Sequence, residues 1–121
     1  MFSKIVVALN DLPESQRALR TGIQLARACK AEFATVSILS DLPAYTSFAI
    51  VVDPGAPDAM KESRRRARGD LLEKASLIAQ EHGVRATGSL VEGREVQAIL
   101  QFLREQRADL LIIGLHQHDF Y

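Results

Sequence analysis

Two stretches of the chain hold side chains that could do chemistry. Near the end, Asp109-Leu110-Leu111-Ile112-Ile113-Gly114 runs a short apolar segment into Leu115-His116-Gln117-His118-Asp119. Near the start, Ile5-Val6-Val7-Ala8-Leu9 runs into Asn10-Asp11. Imidazole with carboxylate suits zinc, and a glycine lets backbone amides approach an anion closely. Both stretches place their polar residues just after an apolar run. In an open parallel sheet the ligand crevice lies beyond the carboxyl ends of the strands, where the strand order reverses. The strands that flank that crevice therefore decide which residues matter.

The elements that must position these groups alternate along the chain. Ile5–Leu9 is a continuous, β-branched apolar run, as expected of a strand covered on both faces. In Asn10-Asp11-Leu12-Pro13-Glu14, Asp11 is the expected helix cap, Pro13 suits the first turn and Glu14 could close a capping box. Ala18, Leu19, Ile23, Leu25 and Ala26 form the apolar face of that helix, with Lys30 near its end. Phe33–Leu39 reads as the second strand. Ser40 to Pro57, with Pro43, Pro54, Gly55 and Pro57 and no sustained period, reads as a long loop. Asp58 is then the expected cap of a long helix with Met60, Ala67, Leu71, Ala75, Ile78 and His82 inward, stopped at Gly83. Its run Arg64-Arg65-Arg66-Ala67-Arg68 points in several directions around the helix and has no aromatic interleaving, so it reads as a solvated face rather than a nucleic-acid patch. His82 reads as a partner of the helix end. A third strand spans Arg85–Val91, a helix over Glu95–Gln106 turns Val96, Ile99, Leu100 and Leu103 inward, and Leu110–Ile113 is the fourth strand. Strands separated by helices imply right-handed crossovers and a parallel α/β sheet.

Composition narrows the function. The 121 residues fit one domain that buries roughly two thirds of its unfolded surface. Lys+Arg and Asp+Glu both number 15, so no positive field favours nucleic acid through counterion release. No apolar run approaches the roughly 20 residues that span a bilayer, and Met1–Val7 enters a strand without the regions of a signal peptide. Cys29 is the sole cysteine, which excludes an internal disulfide and suits a reducing cytoplasm. Cytoplasmic localisation is expected.

Ile5–Asn10, the spacing to Ser15-Gln16-Arg17-Ala18-Leu19, Glu92-Gly93 and Asp109–His116 together resemble the universal stress protein family, over essentially the whole chain. The resemblance implies a three-layer, Rossmann-like fold of the adenine nucleotide alpha hydrolase-like kind. It would be an open five-stranded parallel sheet with helices on both faces, in which the first and fourth strands flank the crevice. It also implies a homodimer paired through the last strand. On this reading residues 1–121 are a single domain that stops before the family's last helix and strand.

Family members that bind adenine nucleotide resemble one another in an aspartate after the first strand and in a glycine loop after the fourth. The loop runs glycine, two residues, glycine, nine residues, then glycine with serine or threonine. Here Asn10 stands at the aspartate position with Asp11 beside it, Gly114 matches the first glycine, and Gln117 replaces the second. Gly114-Leu115-His116-Gln117-His118-Asp119-Phe120 looks more like the class that does not bind nucleotide, with one residue inserted. A non-enzymatic stress-response dimer is therefore expected, without metal or nucleic-acid partner. On the alternative, ATP or AMP binds, and Asn10, Asp11, Val36, Gly114, His116 and Gln117 line its site. Gly114→Val should then abolish binding without unfolding the protein. A more remote alternative takes His116-Gln117-His118-Asp119 as the start of a metal-dependent hydrolase motif, but Phe120 and Tyr121 stand where it needs aspartate and histidine. No Gly-x-Ser-x-Gly elbow, Walker loop or Cys-x-x-Cys pair occurs. Ser40 beside Asp41 is adjacency in sequence, which does not aim a base at a nucleophile.

Overall fold

The computed structural model describes residues 1–40 and 56–115. In chain order the elements are β1 (Lys4–Ala8), α1 (Pro13–Cys29), β2 (Glu32–Leu39), α2 (Ala56–Glu81), β3 (Ala86–Glu92), α3 (Glu95–Gln106) and β4 (Leu110–Ile113). The described strands form one parallel sheet in the order β3-β2-β1-β4. Ile5 lies beside Phe33 of β2 and beside Leu110 of β4, and Phe33 lies beside Ala86 of β3. The chain steps from β1 outward to β2 and β3, then returns to the other side of β1. The order thus reverses between β1 and β4, as the family resemblance implies. Four strands are described where the family resemblance implied five.

Side chains alternate across the sheet and build two cores. On one face Ile5, Val7, Leu9 and Phe33 pack against Leu19, Ile23 and Ala26 of α1 and Leu72, Ala75 and Ala79 of α2. On the other, Val6, Ala34, Val36 and Ile38 pack against Ala98, Ile99 and Phe102 of α3. β1 and β2 are buried on both sides, which is why they read as unbroken apolar runs. α1 seats so close to the sheet that a Cβ on its Gly22 would come 2.4 Å from Val7 Cγ2 and 2.9 Å from Phe33 Cε1.

Several expectations need correcting. Asp11 does not cap α1. Leu12 holds the N-cap position and makes no side-chain cap bond, while Pro13 sits in the first turn as expected. α2 begins at Ala56, so Pro57 belongs to the helix and Asp58 to its first turn rather than to its cap. The rest of the expected loop, 41–55, lies outside the described residues. On α2 the inward positions are Leu72, Ala75 and Ala79, with Leu71 and Ile78 half-buried or packed at the margin, whereas Ala67 and His82 are exposed. On α3 the inward positions are Ala98, Ile99 and Phe102, while Val96 and Leu100 face outward. The sequence shows an apolar arc wider than the contact, and only one side of that arc meets the sheet.

Helix ends follow a common pattern. The backbone N–H of Lys30 returns to Ala26 and Arg27, and that of Arg107 to Arg104 and Leu103; both residues are left-handed, at φ 54°. Gly83, at φ 75°, ends α2 as expected. His82 Nδ1 lies 2.9 Å from the Ile78 carbonyl, which fits its reading as a helix-end partner. At the amino ends of the strands, Asp109 accepts from the backbone N–H of Ser3 at 2.8 Å and of Lys4 at 3.0 Å, stapling β4 to β1. Those bonds stabilise the charged carboxylate and hold its pKa below the ordinary value. Asp109 therefore serves the fold, at the end of the sheet opposite the crevice. No helix among the described residues is long and apolar enough to cross a membrane.

Candidate functional site

The crevice lies where β1 and β4 end, above the switch in strand order. Its β1 side is a closed knot of hydrogen bonds. Leu9 N–H donates to Val36 O at 2.8 Å, and Ser37 Oγ donates to Leu9 O at 3.0 Å. Asn10 N–H donates to the hydroxyl of buried Ser15 at 3.0 Å, and Asn10 Oδ1 accepts from Leu12 N–H at 2.9 Å. The asparagine thus folds back on its own loop, the local turn expected of this side chain. Two amides that an anion would seek here, those of Asn10 and Leu12, already have acceptors. The amide nitrogen left on Asn10 is a donor, and so is the exocyclic amine of adenine.

On the β4 side, Gly114 is pressed against the first turn of α1. A Cβ built on it would lie 2.2 Å from Glu14 O, 2.4 Å from Glu14 C and 2.8 Å from Ser15 N. Its bare backbone serves helix–strand packing. This corrects the expectation that Gly114→Val would spare the fold. The groove beside it, lined by Glu14, Arg17, Thr21, Ile113 and Leu115 among others, encloses about 270 Å³.

Of the residues expected to line a nucleotide site, Asn10 and Gly114 come to the crevice half-buried, and Asp11 is exposed on the loop between them. Val36 is fully buried: its side chain belongs to the core under α3, and its carbonyl is taken by Leu9. His116 and Gln117, with His118 and Asp119 of the metal alternative, lie outside the described residues. Sequence reasoning missed Ser15, whose position in the first turn of a helix gives no sign that its hydroxyl will receive a loop amide.

It also missed part of the arginine run. Arg66 is exposed, 3.9 Å from Glu62, as a solvated face requires. Arg65 instead pairs with Glu92 at the end of β3, and Lys61 joins it at 3.4 Å. The hydrogen bonds of Lys61 first, and then of Arg65, lower the Glu92 pKa. Arg64 Nη2 donates to Ser40 Oγ, just past β2, at 3.3 Å, while Nη1 of Arg64 and Nη1 of Arg68 are buried without a hydrogen-bond acceptor among the described residues. The signal was available: positions 64 and 68 share a helical phase with Leu72, Ala75 and Ala79.

Comparison with known proteins agrees with this geometry. A family model described as the universal stress protein family matches residues 1–121. Universal stress protein C of Escherichia coli O6:H1 is 28% identical over 120 residues, covering 99% of this chain and 80% of that one. The crystal structure of a universal stress protein family member from Burkholderia pseudomallei superposes with a TM-score of 0.78 at 25% identity, covering 94% of this chain and 82% of that one. A universal stress protein solved in complex with cAMP shares the fold, with a TM-score of 0.62 at 19% identity over 92% of this chain and 75% of that one. On its sequence over its full length and on its switch-point architecture, the chain belongs to the universal stress protein family.

Proposed function

We propose that this domain is a non-enzymatic, cytoplasmic stress-response module that acts as a homodimer and holds no resident adenine nucleotide. The observation that carries the reading is the closure of the crevice from both sides. Asn10 and Ser15 consume the loop amides, and Gly114 lends its bare backbone to α1. A phosphate nest needs free, convergent N–H groups, and on the loop after β1 those of Asn10 and Leu12 are engaged. Among the described residues no base stands beside a nucleophile in the hydrogen-bond network on the β1 side of the crevice. Denaturing the purified protein and measuring released adenine absorbance tests the reading. The expected result is far less than one nucleotide per chain, and near-stoichiometric release contradicts it.

A second reading has one observation in its favour, the cAMP-bound relative of the same fold. On that reading ATP, AMP or a cyclic nucleotide enters between β1 and β4 and touches Asn10, Asp11 and Gly114, which requires the Asn10–Leu12 turn to open.

A further inference from the structure

The longest helix overreaches the strands it covers. α2 has 26 residues, about 39 Å at 1.5 Å per residue, whereas β3 has 7, about 23 Å. The lower half of its inward stripe, Leu72, Ala75 and Ala79, packs on the sheet. One and two turns earlier, the same stripe carries Arg68 and Arg64, and Arg64 reaches Ser40 just past β2 while its neighbour Arg65 reaches Glu92 at the end of β3. Side chains four residues apart on a helix face stand about 5–6 Å apart at Cβ. The charge around them is unevenly spent. Glu92 engages Lys61 and Arg65, and Glu62 lies near Arg65 and Arg66. Arg64 and Arg68, both half-buried, each keep one buried guanidinium nitrogen with no acceptor among the described residues, although a buried donor requires one.

We infer that Arg64 and Arg68 together hold a phosphate dianion, free or as the phosphoryl group of a small monoester, at the carboxyl ends of β2 and β3. Two guanidinium groups, each with a buried nitrogen unpartnered among the described residues, match its charge, and their planar forks match its oxygens. Ser40 adds a third donor, because its oxygen accepts from Arg64 and its own proton remains to be given. Arg66, on the outer side of the same run, takes no part. The inference is independent of the reading of the Asn10–Gly114 crevice, which stands or falls with nucleotide at a different pair of strands.

The test is titration of the whole chain with inorganic phosphate and with glycerol phosphate at fixed ionic strength. It is followed by calorimetry and by the Nε–H resonances of assigned arginines. Wild type and Arg66→Gln should saturate with the same dissociation constant, Arg64→Gln and Arg68→Gln should bind at least tenfold more weakly, and the matching lysine variants should fall between. The Nε–H signals of Arg64 and Arg68 in the wild type should move with saturation, a readout that depends on no variant folding. Tighter binding of the ester assigns a phosphorylated metabolite, and tighter binding of inorganic phosphate assigns the free ion; both support the site. Absence of saturable binding by the wild type, undiminished affinity in both glutamine variants, or shifts confined to other arginines overturns it.

Discussion

Gly114 and Glu14 are in backbone contact: a Cβ at position 114 would stand 2.2 Å from the Glu14 carbonyl oxygen, inside any permitted separation. The end of β4 and the first turn of α1 are thereby locked together across the mouth of the crevice. The obstructing atoms belong to backbone, which cannot turn aside as a side chain can. Gly114→Ala should therefore destabilise the protein by about 2–3 kcal/mol, the upper range for overpacking, measured by urea denaturation. Gly69, inside α2 with nothing within 4 Å of a built Cβ, is the control. Gly69→Ala should stabilise by about 0.5–1 kcal/mol through helix propensity alone.

The seating of α3 gives a second prediction. Phe102 is buried under the sheet, and Val96 is 69% exposed. Phe102→Ala should cost about 3–5 kcal/mol, lost burial and the cavity together. Val96→Ser should stay within about 0.5 kcal/mol of wild type. Equal losses from both would mean that the helix sits rotated from the orientation described.

These two helices also show what was legible in the sequence. The strands β1 and β2 were readable because burial on both faces demands unbroken apolar runs, the half-buried β4 kept an apolar run as well, and the crossovers between them implied the parallel sheet. The phase of α2 and α3 was not. On α3 the apolar arc runs from Ala98 through Ile99 to Val96 and Leu100, and periodicity cannot say which part of so wide an arc meets the sheet. The start of α1 was misread for a different reason. Asp11 has the right chemistry for a cap, but Asn10 reaches the Leu12 amide first, and that competition is settled in three dimensions. Within the candidate site, Asn10 and Gly114 came from the family resemblance, which matches them to its aspartate position and its first loop glycine. Their roles, a self-closing turn and a packing contact, depend on the Ser15 hydroxyl and the Glu14 backbone, contacts that neither the capping-box pattern nor the family spacing reveals.

Asp109 predicts a pH dependence. Its pKa is lowered in the folded state by the Ser3 and then the Lys4 backbone bonds, so its contribution is complete above the unfolded value near 3.8 and is lost as pH falls through the lower folded value. Asp109→Asn should therefore lower the urea midpoint at pH 7 and at pH 5, with the gap to wild type shrinking below about pH 4. A gap that stays constant down to pH 2 would assign the effect to something other than the carboxylate charge.

On the proposed function the crevice between β1 and β4 is closed to adenine nucleotide, and calorimetric titration of the whole chain with ATP, AMP and cAMP decides whether it is. Dissociation constants no tighter than about 1 mM, roughly −4 kcal/mol, are expected. A constant near 1 μM, about −8 kcal/mol, and weakened by Asn10→Ala, would contradict the proposed function.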